Sequence, residues 1–146
     1  MAKVRAVCIS GRKGIRKHAV PEIAVRKEHG IVGDAHAGNW HRQISLLAKE
    51  SIDRMRAMGL RLTDGAFAEN IVTEGIELKT LPVGTLLRAG GALLRVTQIG
   101  KECHNDCAIK AATGTCVMPT DGIFAVVVEE GTIRPGDGIS IEEEQR

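Results

Sequence analysis

A chain of 146 residues with 43% apolar and 26% charged residues has the length of one domain and enough apolar material to bury a core without disulfide staples. No apolar run approaches the ~18 residues of a membrane helix, and Met1-Ala2-Lys3-Val4-Arg5 lacks the apolar stretch of a secretory signal. These features argue against a membrane or secreted protein and predict a cytoplasmic one, in which the four cysteines are thiols or ligands rather than disulfides.

The net charge of +2 is small but unevenly placed. Residues 1–30 hold eight Lys/Arg against two Glu, whereas residues 129–146 hold six acids against two Arg. The densest basic cluster is Arg12-Lys13-Gly14-Ile15-Arg16-Lys17-His18. It reads either as a solvated loop at a strand end or as an anion site for a phosphate or phosphorylated cofactor. Nucleic acid is not expected as a partner, because three aromatic residues (Trp40, Phe67, Phe124) are too few for base stacking.

Glycine and Asp-Gly or Gly-Asp steps cut the chain into short β-branched or alternating runs. In order, the predicted strands are Lys3–Ile9, Glu22–Arg26, Ile44–Leu47, Glu69–Thr73, Thr85–Ala89, Leu93–Gln98, Phe124–Glu129 and Gly138–Glu142. One helix is predicted over Lys49–Met58, with Ile52, Met55 and Met58 as its buried stripe, a Glu50–Arg54 ion pair, and Gly59 as its stop. A second, shorter helix over Cys107–Thr113 would have Asp106 as N-cap and Gly114 after its end. Residues 142–146 read as an acidic tail. The pattern predicts a single mainly β domain over residues 1–146, a barrel or sandwich with one or two short α-helices.

Two glycine-flanked segments gather polar side chains. In Gly30–Gln43, Asp34 and His36 read as an orienter and a base, with Arg42 as an anion clamp; equally, Asp34 reads as a turn cap and Arg42 as its buried partner. In Gly65–Asn70, Glu69 and Asn70 precede an apolar strand and read first as satisfying loop backbone, second as ligands.

Cys8 lies inside an apolar strand and reads as a small core residue. Cys103, Cys107 and Cys116, with His104 among them, follow the predicted strand 93–98. The spacing C-x3-C-x8-C is not that of a common zinc or iron–sulfur site, which leaves Cys103, Cys107 and Cys116 as candidate metal ligands only. Cys103 and Cys107 also read as a redox pair. The preferred reading is one functional thiol at Cys103, with Cys107 as second thiol and Lys101 and His104 favouring the thiolate.

Taken in order, Gly30-Ile31-Val32-Gly33-Asp34-Ala35-His36, Arg42-Gln43-Ile44-Ser45-Leu46-Leu47, Gly65-Ala66-Phe67-Ala68-Glu69-Asn70-Ile71, Leu81-Pro82-Val83-Gly84 and Val96-Thr97-Gln98 followed by Cys103 resemble the MOSC domain, named for the C-terminal part of molybdenum cofactor sulfurase. The resemblance runs from about Val4 to Ile141. It implies a mainly β, partly closed barrel and a role in sulfur transfer or molybdenum cofactor handling. It assigns the family's characteristic cysteine to Cys103, as carrier of a persulfide, with Cys107 as an additional thiol. It places Asp34, His36, Arg42, Glu69 and Asn70 around that thiol, and the basic residues Lys13, Arg16 and Lys17, with His104, near a molybdopterin phosphate. Glu102 stands where relatives often carry proline. No pyridoxal phosphate site is expected in this chain, so the implied partners are a cysteine desulfurase that loads the sulfur and a cofactor-biosynthesis or acceptor protein. The alternatives are a molybdenum cofactor-binding module, a molybdenum-dependent reductase of N-hydroxylated compounds, and a cysteine-rich metal-binding protein.

Overall fold

The computed structural model describes residues 2–12, 17–59, 64–65, 67, 69–100 and 121–142. Among these the chain is mainly β. The strands are β1 Lys3–Ile9, β2 His18–Val20, β3 Ile23–Arg26, β4 Gly30–Ile31, β5 Ile44–Ala48, β6 Ile71–Glu74, β7 Leu86–Ala89, β8 Ala92–Ile99, β9 Ile123–Glu129, β10 Gly131–Ile133 and β11 Ile139–Glu142. One helix, α1, spans Lys49–Arg56, and one 3-10 turn spans Leu78–Thr80. All eight predicted strands are present with ends moved by a residue or two. The unpredicted β2, β4 and β10 have two or three residues each, too few to show a period of two.

Eight strands form one sheet in the order β11-β7-β8-β9-β5-β6-β1-β2, and β10-β3-β4 form a second. The large sheet nearly meets itself. Lys3 bridges Gly138, Val4 N–H donates to Asp137 O at 2.7 Å, and Gly136 N–H donates to Val4 O at 2.7 Å, joining β1 to the approach of β11. A sheet whose second-last strand bonds to its first is curled into a partly closed barrel.

β5 occupies the middle of this sheet, antiparallel to β9 and parallel to β6. All five of its residues are buried, as expected of a strand covered on both faces. Ile44, Leu46 and Ala48 join the main core with Ile71, Leu94, Val96, Ile123 and Ala125. By strand alternation Ser45 and Leu47 face the other side. That side is covered in part by α1, which packs on β5 and β6 and buries Ile52 and Met55. Met58 lies beyond the helix end and is 58% exposed, so the predicted stripe stops one turn early. The predicted Glu50–Arg54 pair is not formed. Glu50 accepts Gly75 N–H, Arg54 pairs with Asp121, and the ion pairs within the helix are Lys49–Asp53 at 2.7 Å and Arg56–Asp53 at 3.0 Å. Tertiary partners outcompete an exposed i,i+4 pair worth only a few tenths of a kcal/mol. The predicted helix over 107–113 and the acidic tail from residue 143 onward lie outside the described residues. No helix among the described residues is long and apolar enough to cross a membrane.

Asn70 explains why β6 starts later than predicted. Its backbone N–H donates to Ser45 O at 2.9 Å, and its Oδ1 accepts Ser45 N–H at 3.0 Å. On the other side Cys8 N–H donates to Asn70 O at 2.7 Å, and Asn70 Nδ2 donates to Cys8 O at 3.1 Å. One buried side chain thus extends the sheet toward both β1 and β5. Removing it leaves the Ser45 N–H and Cys8 carbonyl short of a partner, at about 1–3 kcal/mol for each unmatched group. Asn70→Ala is expected to lower stability by about 3 kcal/mol and the melting temperature by about 10 °C, read by circular dichroism.

Candidate functional site

Of the basic cluster, Arg12, Lys17 and His18 are described, and the Lys17 side chain is fully buried. Its ammonium donates to Asp34 Oδ1 at 2.7 Å and contacts His36 Nδ1 at 2.9 Å. Asp34 also accepts Ser10 N–H at 3.1 Å on Oδ1 and His36 N–H at 3.2 Å on Oδ2. Burial alone would raise this carboxyl's pKa. The Lys17 ammonium and the two backbone donors outweigh it and hold Asp34 below the ordinary carboxylate range. Asp34 and His36 are therefore neighbours, as the sequence suggested, but the ring Nδ1 lies 3.8 Å from Oδ2 and its close partner is Lys17. Lys17 does not stand at the surface among solvated cations: its ammonium has two protein partners.

The loop after Asp34 continues to β5 and is fastened along its length. Trp40 Nε1 donates to His36 O at 2.8 Å, and Gln43 Oε1 accepts Val127 N–H at 3.0 Å. Arg42 Nε donates to Gln98 Oε1 at 3.1 Å, and its guanidinium lies 5.3 Å from the centre of the Phe124 ring. His41 Nε2 meets the same Gln98 oxygen at 3.0 Å. Gln98 is the residue that inspection of charged and thiol side chains passes over; its signal was a polar amide at the end of an apolar strand. It stands at the root of the cysteine segment. β8 and β9 pair as far as Ile99 and Ile123, and Gly100 N–H donates to Gly122 O at 2.5 Å, so the chain between them leaves and returns at one point beside Arg42. Cys103, His104, Cys107 and Cys116 lie outside the described residues, as do Lys13 and Arg16. Among the described residues no cluster of three His, Cys, Asp or Glu side chains is arranged to hold a metal.

Glu69 is buried and accepts Gly65 N–H at 3.0 Å and Phe67 N–H at 2.9 Å. It thus satisfies loop backbone. Gly65 is required here: its φ is +92°, and a Cβ would stand 2.2 Å from Lys17 O, which accepts no such approach. Burial drives the Glu69 pKa up to about 7, against the backbone hydrogen bonds from Gly65, Phe67 and its own amide. Cys8 is also buried, but strand alternation turns it away from the main core, where Val7 points. Burial first, then the charges of Glu69 and Asp64, push its thiol up to about 12 against the opposing pull of Lys17. An open cleft of about 560 Å³ lies elsewhere, lined by Ser51, Arg54, Lys79 and Asp121 among others, and includes none of the candidate site residues.

The sequence profile of the MOSC domain matches residues 33–140, most of the chain. The chain belongs to the MOSC domain family. The MOSC fold is also found in the YUAD protein from Bacillus subtilis (TM-score 0.80, 20% identity, covering 99% of this chain and 97% of that one). YiiM from Geobacillus stearothermophilus is similar as well (TM-score 0.73, 23% identity, 98% and 76% covered), as is YiiM from Escherichia coli (TM-score 0.68, 18% identity, 99% and 71% covered). No relative among curated proteins matches the sequence.

Two measurements follow for this MOSC chain. Cys8 should react with a disulfide reagent at neutral pH at least about a hundredfold more slowly in the native protein than after denaturation, as counted by peptide mass mapping. For Glu69, the folded pKa is raised, so its stabilising effect is complete below about pH 4.5 and is lost as pH rises through 7. Urea unfolding from pH 5 to 8 should show wild type losing stability relative to Glu69→Gln, by an amount on the order of 3 kcal/mol.

Proposed function

We propose that this MOSC chain is a sulfur carrier in molybdenum cofactor handling, with Cys103 as the sulfur-bearing thiol. The observation that supports it is the Arg42–Gln98 contact, which holds a cation at the root of the segment carrying Cys103. The attacking group is the Cys103 thiolate. It attacks the outer sulfur of a donor persulfide, the donor's S–S bond breaks, and the donor leaves as a thiolate, so no oxidant or reductant is needed. A cation beside the new persulfide favours its anionic form. The donor implied is a cysteine desulfurase, and the acceptor is a metal–sulfur centre or the cofactor itself as substrate, in a reducing compartment such as the cytoplasm.

Among the described residues Arg42 uses only Nε in a hydrogen bond, which leaves its two Nη groups as donors suited to a molybdopterin phosphate. Lys17 does not fit that role, because its ammonium is buried against Asp34 and His36. A bound molybdenum cofactor would supply oxygen-atom and sulfur redox chemistry; the residues of this chain would hold it. This favours, as second reading, a cofactor-binding module or reductase of N-hydroxylated compounds.

Intact-mass spectrometry after incubation with a cysteine desulfurase and cysteine separates the readings. The expected result is a gain of one sulfur, about 32 Da, mapped to Cys103 and lost in Cys103→Ser. A gain that persists in Cys103→Ser, or none at all, overturns the carrier reading; molybdopterin retained by the purified protein then supports the binding module.

A further inference from the structure

The register of β8 against β9 explains how an apolar strand comes to present a polar amide. Val96 stands opposite Ala125 and Gln98 opposite Phe124, so β8 carries one extra residue, Thr97. Val96 and Ala125 both belong to the barrel core. Gln98, two residues on from Val96, would by strict alternation share that face. The bulge changes the phase and sets Gln98 beside Phe124 on the opposite face. His41 and Arg42 are held from this one irregularity. The Thr97 hydroxyl donates to His41 O, and Gln98 Oε1 lies 3.0 Å from His41 Nε2 and accepts Arg42 Nε–H at 3.1 Å. The Phe124 ring lies 5.3 Å from the Arg42 guanidinium. The amide itself is fixed, because Gln98 Nε2 donates to Gly100 O at 2.7 Å and so leaves Oε1 facing both donors.

A carboxylate that holds an arginine orients it and at the same time cancels its charge. Both groups that hold Arg42 are uncharged, and among the described residues it has no carboxylate partner. We propose that Gln98 is a positioning residue that orients Arg42 without neutralising it, so that the full positive charge stays available to an anionic ligand. The amide engages only Nε, and the two Nη groups keep the planar fork from which a phosphate or another anion accepts hydrogen bonds. Glutamate at position 98 would match the shape and fail on two counts. It would cancel the charge, and it has no donor for Gly100 O. That Arg42 is the group meeting the ligand rests on the function proposed above; its orientation by Gln98 does not.

The test titrates the full chain with inorganic phosphate and follows the Arg42 Nε–H by ¹⁵N NMR, the resonance being assigned by its loss in Arg42→Met. In wild type the resonance should be sharp and phosphate should bind; Arg42→Met should abolish binding. In Gln98→Met the resonance should broaden by exchange with water, and phosphate affinity should fall by about tenfold, the worth of one well-placed charge-assisted hydrogen bond. In Gln98→Glu the resonance should stay sharp while affinity falls by at least about tenfold, because orientation is kept and charge is not. A merely structural role for Gln98 would not separate these two readouts. Binding equal to wild type in either Gln98 variant overturns the proposal, as does binding that survives Arg42→Met or is absent from wild type at millimolar phosphate. Should Gln98→Met fail to fold, Gln98→Glu decides alone: a sharp resonance with weakened binding supports the proposal, and any other combination overturns it. If wild type binds phosphate and both variants behave as expected, yet Cys103 takes no sulfur from a cysteine desulfurase, the carrier function alone is refuted.

Discussion

The buried ion pair between Lys17 and Asp34 is the constraint around which the polar half of this molecule is arranged. A lysine or aspartate at zero side-chain exposure is several kcal/mol unfavourable unless its counterpart is in place. Each residue therefore fixes the other, and with them the segments they belong to. Asp34 collects the Ser10 amide at the end of β1 and the His36 amide in its own loop. Lys17 N–H reaches Gly65 O at 3.0 Å, which draws the 64–70 segment alongside. Three stretches distant in sequence are joined by one pair of charges, and the loop that brings Arg42 to Gln98 starts from that junction.

The two buried carboxylates near it behave in opposite ways for a simple reason. Asp34 has an ammonium at 2.7 Å as well as backbone donors; among the described residues Glu69 has backbone donors alone. Hydrogen bonds from amides lower a carboxyl pKa, but at Glu69 they do not offset the loss of water. The result is a permanent anion on one side and, near neutrality, a carboxyl that exchanges its proton on the other. Cys8, between such neighbours, is held as a thiol.

Most of the strand framework was legible in the sequence because strands of four or more residues carry an alternating or continuous apolar signal, as in Lys3–Ile9 or Ile44–Leu47. The parallel pairing of β5 with β6 through α1 was not, since a lone crossover leaves no repeat of strand–helix alternation to detect. The candidate residues Asp34, His36, Arg42, Glu69 and Asn70 were all visible as polar insertions between glycines. Their partners were not. Lys17 looks like any member of a basic run, and only the fold shows that its side chain turns inward to Asp34 across a separation of 17 residues. Gln98 ends one of the blocks that resemble the family, but nothing in the sequence shows that it contacts both His41 and Arg42. Charge and thiol content mark where chemistry is concentrated; which side chain answers which is set by long-range pairing.

The hydrogen bond from Gly100 to Gly122 has an evolutionary consequence. Because β8 and β9 are already closed at that point, the two ends of the intervening stretch are held together by the sheet itself. The entropy of closing such an excursion grows only with the logarithm of its length. A change in the length of that stretch therefore costs little in closure entropy, while Arg42 and Gln98 stay in place at its root. A strand pair closed in this way can change the length of its connection without resetting the strands that carry it.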